Sequence, residues 1–255
     1  IVFKKFLIYF LIIFLGCFAY TDAYGAKSSK MKSLPVEYNT DDGMIIKGNL
    51  FIPKSKEKTP VVILLHSLGG TQKNWEKFPY TLASKGYAVL TLDLRGHGQS
   101  IYNRKMQRRY WQNFNADIFR KYPKDIILGI DNLKNYKQLD LSRVAIIGSG
   151  IGANTAAIAA PMRKYQIKTI VMISPTEKFY GDSILLKLVD YGDRPVFAIA
   201  GENDRLSVAA VDKISKIAQG EYKEIVYPRG GSGILLYKSK PEIKTEILNW
   251  LDGRL

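Results

Sequence analysis

Two histidines, His66 and His97, bound the chemistry open to this chain. Any mechanism that needs an imidazole must use one of them, and both lie before residue 100. A Cys/His zinc centre is excluded on supply, because Cys17 is the only cysteine and structural zinc asks for about four such ligands. The residues able to do chemistry fall instead in five short stretches rich in glycine, serine and acids. These are His66-Ser67-Leu68-Gly69-Gly70, Asp93-Leu94-Arg95-Gly96-His97-Gly98-Gln99-Ser100, Ile146 through Ala153, Gly201-Glu202-Asn203-Asp204, and Tyr227 through Gly233. Serine, imidazole and carboxylate together perform nucleophilic catalysis: the hydroxyl attacks, the imidazole takes its proton, and the acid orients the imidazole.

Such groups need a scaffold, and the hydrophobic pattern supplies one. Val36–Asn39 and Met44–Ile52 flank Asp41-Asp42-Gly43 and read as an antiparallel hairpin. Val61 to Leu65 is a continuous apolar run, as expected of a strand covered on both faces. Strands follow at Ala88–Asp93, Arg143–Gly148, Thr169–Ser174, Val196–Ala200 and Lys223–Tyr227. Helical patterns separate them at Trp75–Lys85, Asp125–Lys137, Ala153–Ala160, Ser183–Asp190, Val208–Ala218 and Pro241–Leu251. Alternation of this kind implies parallel pairing with right-handed crossovers and helices on both sheet faces. The expected fold is a mostly parallel α/β sheet of eight strands with an N-terminal antiparallel hairpin. Ligands bind beyond the carboxyl ends of such strands, where all five stretches fall.

From about Val36 to Leu255 the chain resembles the α/β-hydrolase superfamily. The His66–Gly70 loop resembles the family's oxyanion loop, and Asp93–Ser100 its Asp-x-Arg-Gly-His-Gly-x-Ser segment. Ile146–Ala153 occupies the nucleophile elbow, Gly201–Asp204 the acid loop, and Tyr227–Gly233 the histidine loop. Short connections leave no room for a cap domain, which is similar to compact esterases, dienelactone hydrolases and acyl-peptidases. The resemblance implies a serine hydrolase, but the catalytic types depart from it. With Gly148 and Gly152 fixing the elbow register, Gly150 stands at the nucleophile position and Ser149 one residue early. In the histidine loop Ser232 stands where the histidine belongs. Asp204 alone keeps its triad type, with helix capping as its other reading. The backbone N–H groups of Leu68 and Ile151 should still converge as oxyanion donors. His66 reads as a residue shaping its loop. His97 and Ser149 are the candidate substitutes for base and nucleophile, with Ser67 and Ser232 as further relocated serines.

The remaining signals concern location and partners. In 255 residues, 46% are hydrophobic and 24% charged, which fits one sizeable domain and excludes disorder, collagen-like sequence and a disulfide scaffold. Lys4 and Lys5 precede an uncharged run from Phe6 to Tyr20, the pattern of a signal peptide in residues 1–26. Phe14-Leu15-Gly16-Cys17 resembles a lipobox, with Cys17 as the lipidated residue; cleavage after Ala23 or Gly25 and an uncleaved anchor are the alternatives. Residues 27–35 read as a linker and 36–255 as the domain. Of the net charge of +15, +14 stays with residues 27–255, since residues 1–26 carry only Lys4, Lys5 and Asp22. Its densest cluster is Arg104, Lys105, Arg108 and Arg109, flanked by Tyr102, Tyr110 and Trp111. That cluster is expected on the pocket rim as an anion or membrane patch, which together with a lipid would form a two-signal anchor. No cofactor, metal or nucleic acid is expected. The expected protein is exported, either lipid-anchored to the cell envelope or periplasmic or secreted. It would bind a small-molecule or protein ligand without hydrolysing it. A hydrolase of carboxylic esters with rearranged catalytic residues is the alternative, and a structural surface protein a third reading.

Overall fold

A computed structural model describes residues 31–255; residues 1–26, read as a signal peptide with Cys17 as its lipidation site, and residues 27–30 lie outside the described residues. In chain order, β1 (Lys32–Asn39), β2 (Ile45–Ile52) and β3 (Thr59–Leu65) lead to α1 (Phe78–Ser84) and β4 (Ala88–Leu92). A long loop then carries α2 (Ala116–Phe119) and leads into α3 (Tyr122–Asn132). Next come β5 (Leu139–Ser149), α4 (Ile151–Met162), β6 (Ile167–Ile173), the small hairpin β7 (Lys178–Phe179) and β8 (Asp182–Ser183), and α5 (Ile184–Tyr191). The chain continues through β9 (Val196–Gly201), α6 (Arg205–Ile217), β10 (Tyr222–Tyr227), α7 (Gly233–Ser239) and α8 (Glu242–Leu251).

The eight-stranded sheet has the order β1-β2-β4-β3-β5-β6-β9-β10. The β1–β2 and β2–β4 pairs are antiparallel and the others parallel. This is the mostly parallel sheet that the alternation of elements implies, in the arrangement that the resemblance to α/β-hydrolases leads one to expect. One expectation moves: β1 starts at Lys32, inside the stretch read as linker. The reason is backbone pairing, because β2 extends to Ile52 and its last residues offer a ladder to Lys32–Pro35.

The continuous apolar strands serve two cores at once. Val61, Ile63 and Leu65 of β3 pack with α3, α4, α5 and α6 on one face. Val62 and Leu64 point the other way, into a second core with α1, α7 and α8. Where β3, β5 and α4 meet, the backbones come closer than any side chain permits. A Cβ on Gly148 would lie 2.1 Å from the Gly152 carbonyl oxygen, and one on Gly152 would lie 2.4 Å from that of Leu65.

The loop after β4 is held by a buried ion-pair cluster. The Arg95 side chain is 3% exposed. It donates through Nε and Nη2 to Asp125 of α3 at 2.8 and 2.7 Å, and through Nη1 to Asp42 at 2.6 Å. Tyr122 Oη donates to the Arg95 carbonyl and Tyr38 Oη to that of Asp125, tying the hairpin, the loop and α3 together. Removing one member of a buried pair leaves the other charge stranded, which costs about 3–5 kcal/mol. Asp125→Ala should therefore lower the urea-unfolding free energy by about that much. Lys216→Ala, which breaks an exposed helical pair with Asp212, should cost under about 1 kcal/mol. Equal costs for the two variants would contradict a stabilising role for the cluster.

Candidate functional site

The sharp turn from β5 into α4 is present, with Gly150 at its apex. Gly150 has φ 56° and ψ −117°, a left-handed conformation that costs other residues about 1–3 kcal/mol and glycine little. Its N–H donates to Ile173, and its carbonyl accepts from Ala153 and Asn154 to begin the helix. The backbone of a nucleophile elbow is thus complete, and its apex carries no side chain. Ser149 does not substitute for it: the residue is fully buried, and its hydroxyl shares a 2.9 Å hydrogen bond with Ser67.

The histidine loop after β10 ends in Ser232, the exposed N-cap of α7. The next two N–H groups are taken by hydroxyls from other loops, Gly233 donating to Ser174 Oγ at 2.7 Å and Ile234 to Ser67 Oγ at 3.1 Å. Ser67 therefore stands among the loops that would hold a triad. Its Oγ lies 3.2 Å from where a Cβ on Gly150 would be, and 2.9 Å from one on Gly233. Asp204 is the N-cap of α6, its Oδ1 accepting from Ser207 N at 3.1 Å. Gly150, Asp204 and Ser232 line a single cleft of about 460 Å³, so the fold gathers the three positions that the motifs single out.

Leu68 and Ile151 line the same cleft. Among the described residues, neither N–H donates to a protein acceptor, which leaves both free for a ligand oxygen. The far wall was not anticipated from the sequence. Phe179 and Tyr180 come from the β7–β8 hairpin and its turn, and Asn154 braces that segment. Asn154 accepts from Thr176 N at 3.0 Å and donates to the Lys178 carbonyl at 3.1 Å. The one sequence signal for this wall is Thr176 to Tyr180 following a strand on the cleft side of the sheet.

Both imidazoles are structural. His66 Nδ1 donates to the Ser67 carbonyl at 2.8 Å while Nε2 accepts from Leu94 N at 2.9 Å. His97 repeats the pattern, with Nδ1 donating to the Arg95 carbonyl and Nε2 accepting from Gly69 N. Each ring is neutral with both nitrogens occupied, so neither is free to take a proton from a serine. His97 is also stacked under Trp111, ring centres 5.4 Å apart. Burial pushes the His97 pKa down. Burial also lowers that of His66, to about 3, with the Ser67 carbonyl opposing and His97 adding to the fall.

The basic cluster does not take the rim position that its place in the sequence suggests. Arg104 and Lys105 border a separate hollow with Asp41, Asp42 and Gly43. The cause is backbone pairing: Arg104 N donates to the Gly43 carbonyl, and isolated bridges join Met44 to Asn103 and Tyr102 to Arg108. Arg108 lies over the Tyr102 ring, and Arg109 bonds Gln107. None of the four lines the cleft. Among the described residues no cluster of three or more His, Cys, Asp or Glu could hold a metal.

A neutral buried histidine links stability to pH. The folded pKa of His66 lies below its ordinary value of 6.5, so between those two values the unfolded chain binds the extra proton. The His66 contribution is then full above pH 6.5 and falls by about 1.4 kcal/mol per unit as pH drops below it. Asp125, whose pKa burial raises to about 6, acts in the opposite sense, so the test is a comparison: between pH 7 and pH 5 the urea-unfolding free energy should fall more steeply with falling pH in the wild type than in His66→Gln. The same pH dependence in both proteins would contradict the neutral-ring assignment.

The comparisons with known proteins agree with this geometry. A Penicillium oxalicum protein named hydrolyase poxO is 34% identical over 116 residues, 44% of this chain but 26% of its own length. The chain thus matches about a quarter of that relative. Among solved structures, Anabaena variabilis dienelactone hydrolase superposes with a TM-score of 0.70 at 17% identity, over 89% of this chain and 99% of its own. The acetyl xylan esterase of Paenibacillus sp. R4 gives 0.71 at 17% identity, over 91% and 86%. At such identities the likeness is one of fold. The family model described as serine aminopeptidase, S33, matches residues 56–190, from before β3 through the elbow and α4 to the end of α5. This chain belongs to that family of α/β-hydrolases.

Proposed function

We propose that this protein is an exported member of the family that binds a ligand or partner at the cleft and does not hydrolyse it. The observation that carries this reading is Gly150 at the apex of an otherwise complete elbow. Ser232 in the histidine loop and two histidines with every ring nitrogen engaged support it. Loss of the nucleophile or base from a triad costs on the order of 10⁶ in rate, while oxyanion donors and binding alone leave about 10³–10⁴ over water. What remains suits recognition: the N–H groups of Leu68 and Ile151 fit a carbonyl or carboxylate oxygen, and Phe179, Tyr180 and Leu206 offer apolar walls. In the same reading residues 1–26 direct export, and lipidation at Cys17 holds the protein at the envelope.

A second reading is a carboxylic ester hydrolase with a relocated nucleophile. It is favoured by Ser67, whose hydroxyl lies 3.2 Å from the Cβ that Gly150 lacks. The names of the relatives, hydrolases and esterases, lean the same way. A fluorophosphonate probe separates the two. The binding reading predicts no stoichiometric serine adduct by intact mass; a full adduct on Ser67 would establish the second reading.

Restoring the motif makes a further prediction. Gly150→Ser with Ser232→His should gain little p-nitrophenyl acetate hydrolysis, because the new Cβ would crowd Ser67 Oγ. Adding Ser67→Gly should raise the rate by about tenfold or more over the double variant, well short of a natural triad. No gain from the triple variant over the double would contradict the assigned positions.

A further inference from the structure

We propose that the end of the sheet opposite the cleft docks on an anionic phospholipid bilayer, so that the cleft faces away from the membrane. The parallel strands all begin at this end, and the segments leading into β3, β4, β5 and β6 carry lysines, whereas those before β9 and β10 carry Asp193, Arg194 and Glu221. Lys54, Lys56 and Lys58 lie between β2 and β3, Lys85 before β4, Lys137 before β5 and Lys164 before β6. All six are exposed, and among the described residues none is ion-paired. Nearby Asp131 and Asp140 are already taken by Lys134, Arg163 and Arg143. Glu57, Asp193 and Glu221 also lie at this end, Glu221 paired with Arg254, so the face is cationic in balance and its positive charge is concentrated from β3 to β6. A cationic face of this kind is drawn to an anionic leaflet, each lysine adding to the attraction within a Debye length.

Two further observations favour a bilayer over a nucleic acid. The first is where the chain enters. Lys32 of β1 pairs with Ile52, next to Phe51, which pairs with Val89 at the start of β4. The first strand therefore starts at the lysine-rich end, and residues 21–31 alone separate it from the uncharged run Phe6–Tyr20. A membrane-held N-terminus, whether by that run or by a lipid on Cys17, brings this end to the surface first. The second is apolar exposure within the basic face. Met162 and Tyr165, just before β6, are 44% and 75% exposed. Lys164 Nζ sits 5.4 Å above the Tyr165 ring, the pairing of aromatic body and charged tip that suits the headgroup region.

The proposal rests on the proposed envelope location for the first of these observations, and the two fail separately. Cell fractionation tests location; the docking surface is tested on purified protein. The full chain is reconstituted in nanodiscs of phosphatidylcholine alone or with added phosphatidylglycerol, and amide hydrogen exchange is followed by mass spectrometry. At low salt, phosphatidylglycerol should slow exchange severalfold in peptides covering 53–58, 133–138 and 162–166, with 101–110 unchanged. High salt should remove the effect, and so should Lys54, Lys56 and Lys58→Gln together, exposed changes that leave the core untouched. Identical exchange in the two lipids would overturn the proposal. So would protection confined to 101–110, which would turn the cleft end toward the bilayer. Stronger protection by a short DNA duplex at equal phosphate concentration would assign the face to nucleic acid and overturn it as well.

Discussion

Everything at the cleft depends on how closely β5 and α4 pass β3. With Gly152 packed on the Leu65 carbonyl and Gly148 on Gly152, the chain leaving Ser149 has one way to turn, and that turn needs a left-handed residue at 150. The constraint is set by backbone contacts and is indifferent to whether the apex residue reacts. The elbow is therefore a property of the fold, and glycine at its apex adopts the turn without backbone strain. The same turn begins α4 and leaves the Ile151 N–H, like that of Leu68, without a protein acceptor among the described residues.

The vacated space is not empty. Ser67 joins Ser149 on one side and the start of α7 on the other, and Ser174 holds the neighbouring N–H of Gly233. Unsatisfied donors at a helix start are costly when buried, so these hydroxyls stabilise the loop that carries Ser232. His66 and His97 show the same economy. Each fastens two loops through both nitrogens, and freeing either ring for proton transfer would release the very segments that shape the oxyanion donors. Both imidazoles are structural members, with every ring nitrogen engaged.

The architecture was legible in the sequence to the level of strand count, pairing sense and element order, because doubly covered strands read as unbroken apolar runs such as Val61–Leu65. The five stretches could be placed on one edge for the same reason: each follows a strand. Boundaries were less legible. Lys32–Pro35 looks like linker, since a half-exposed edge strand needs only a partner's ladder and no apolar signature. The β7–β8 hairpin and α7 were missed because each is short and built on contacts distant in sequence, such as Asn154 with Thr176 and Ser67 with Ile234. The placement of Arg104–Arg109 failed through the same blindness. Proximity in sequence to the His97 loop says nothing of the bridges that draw the segment to the β1–β2 turn.

The central claim is that the cleft binds a carbonyl or carboxylate oxygen through Leu68 and Ile151 and does no chemistry on it. It is tested most directly by titrating ¹⁵N-labelled protein with a short-chain ester while following both amide and ligand signals by NMR. Binding without turnover predicts saturable shifts at the Leu68 and Ile151 amides and an ester spectrum that decays no faster than in buffer. Release of acid and alcohol at an enzyme-dependent rate, or amides that do not respond, would contradict it.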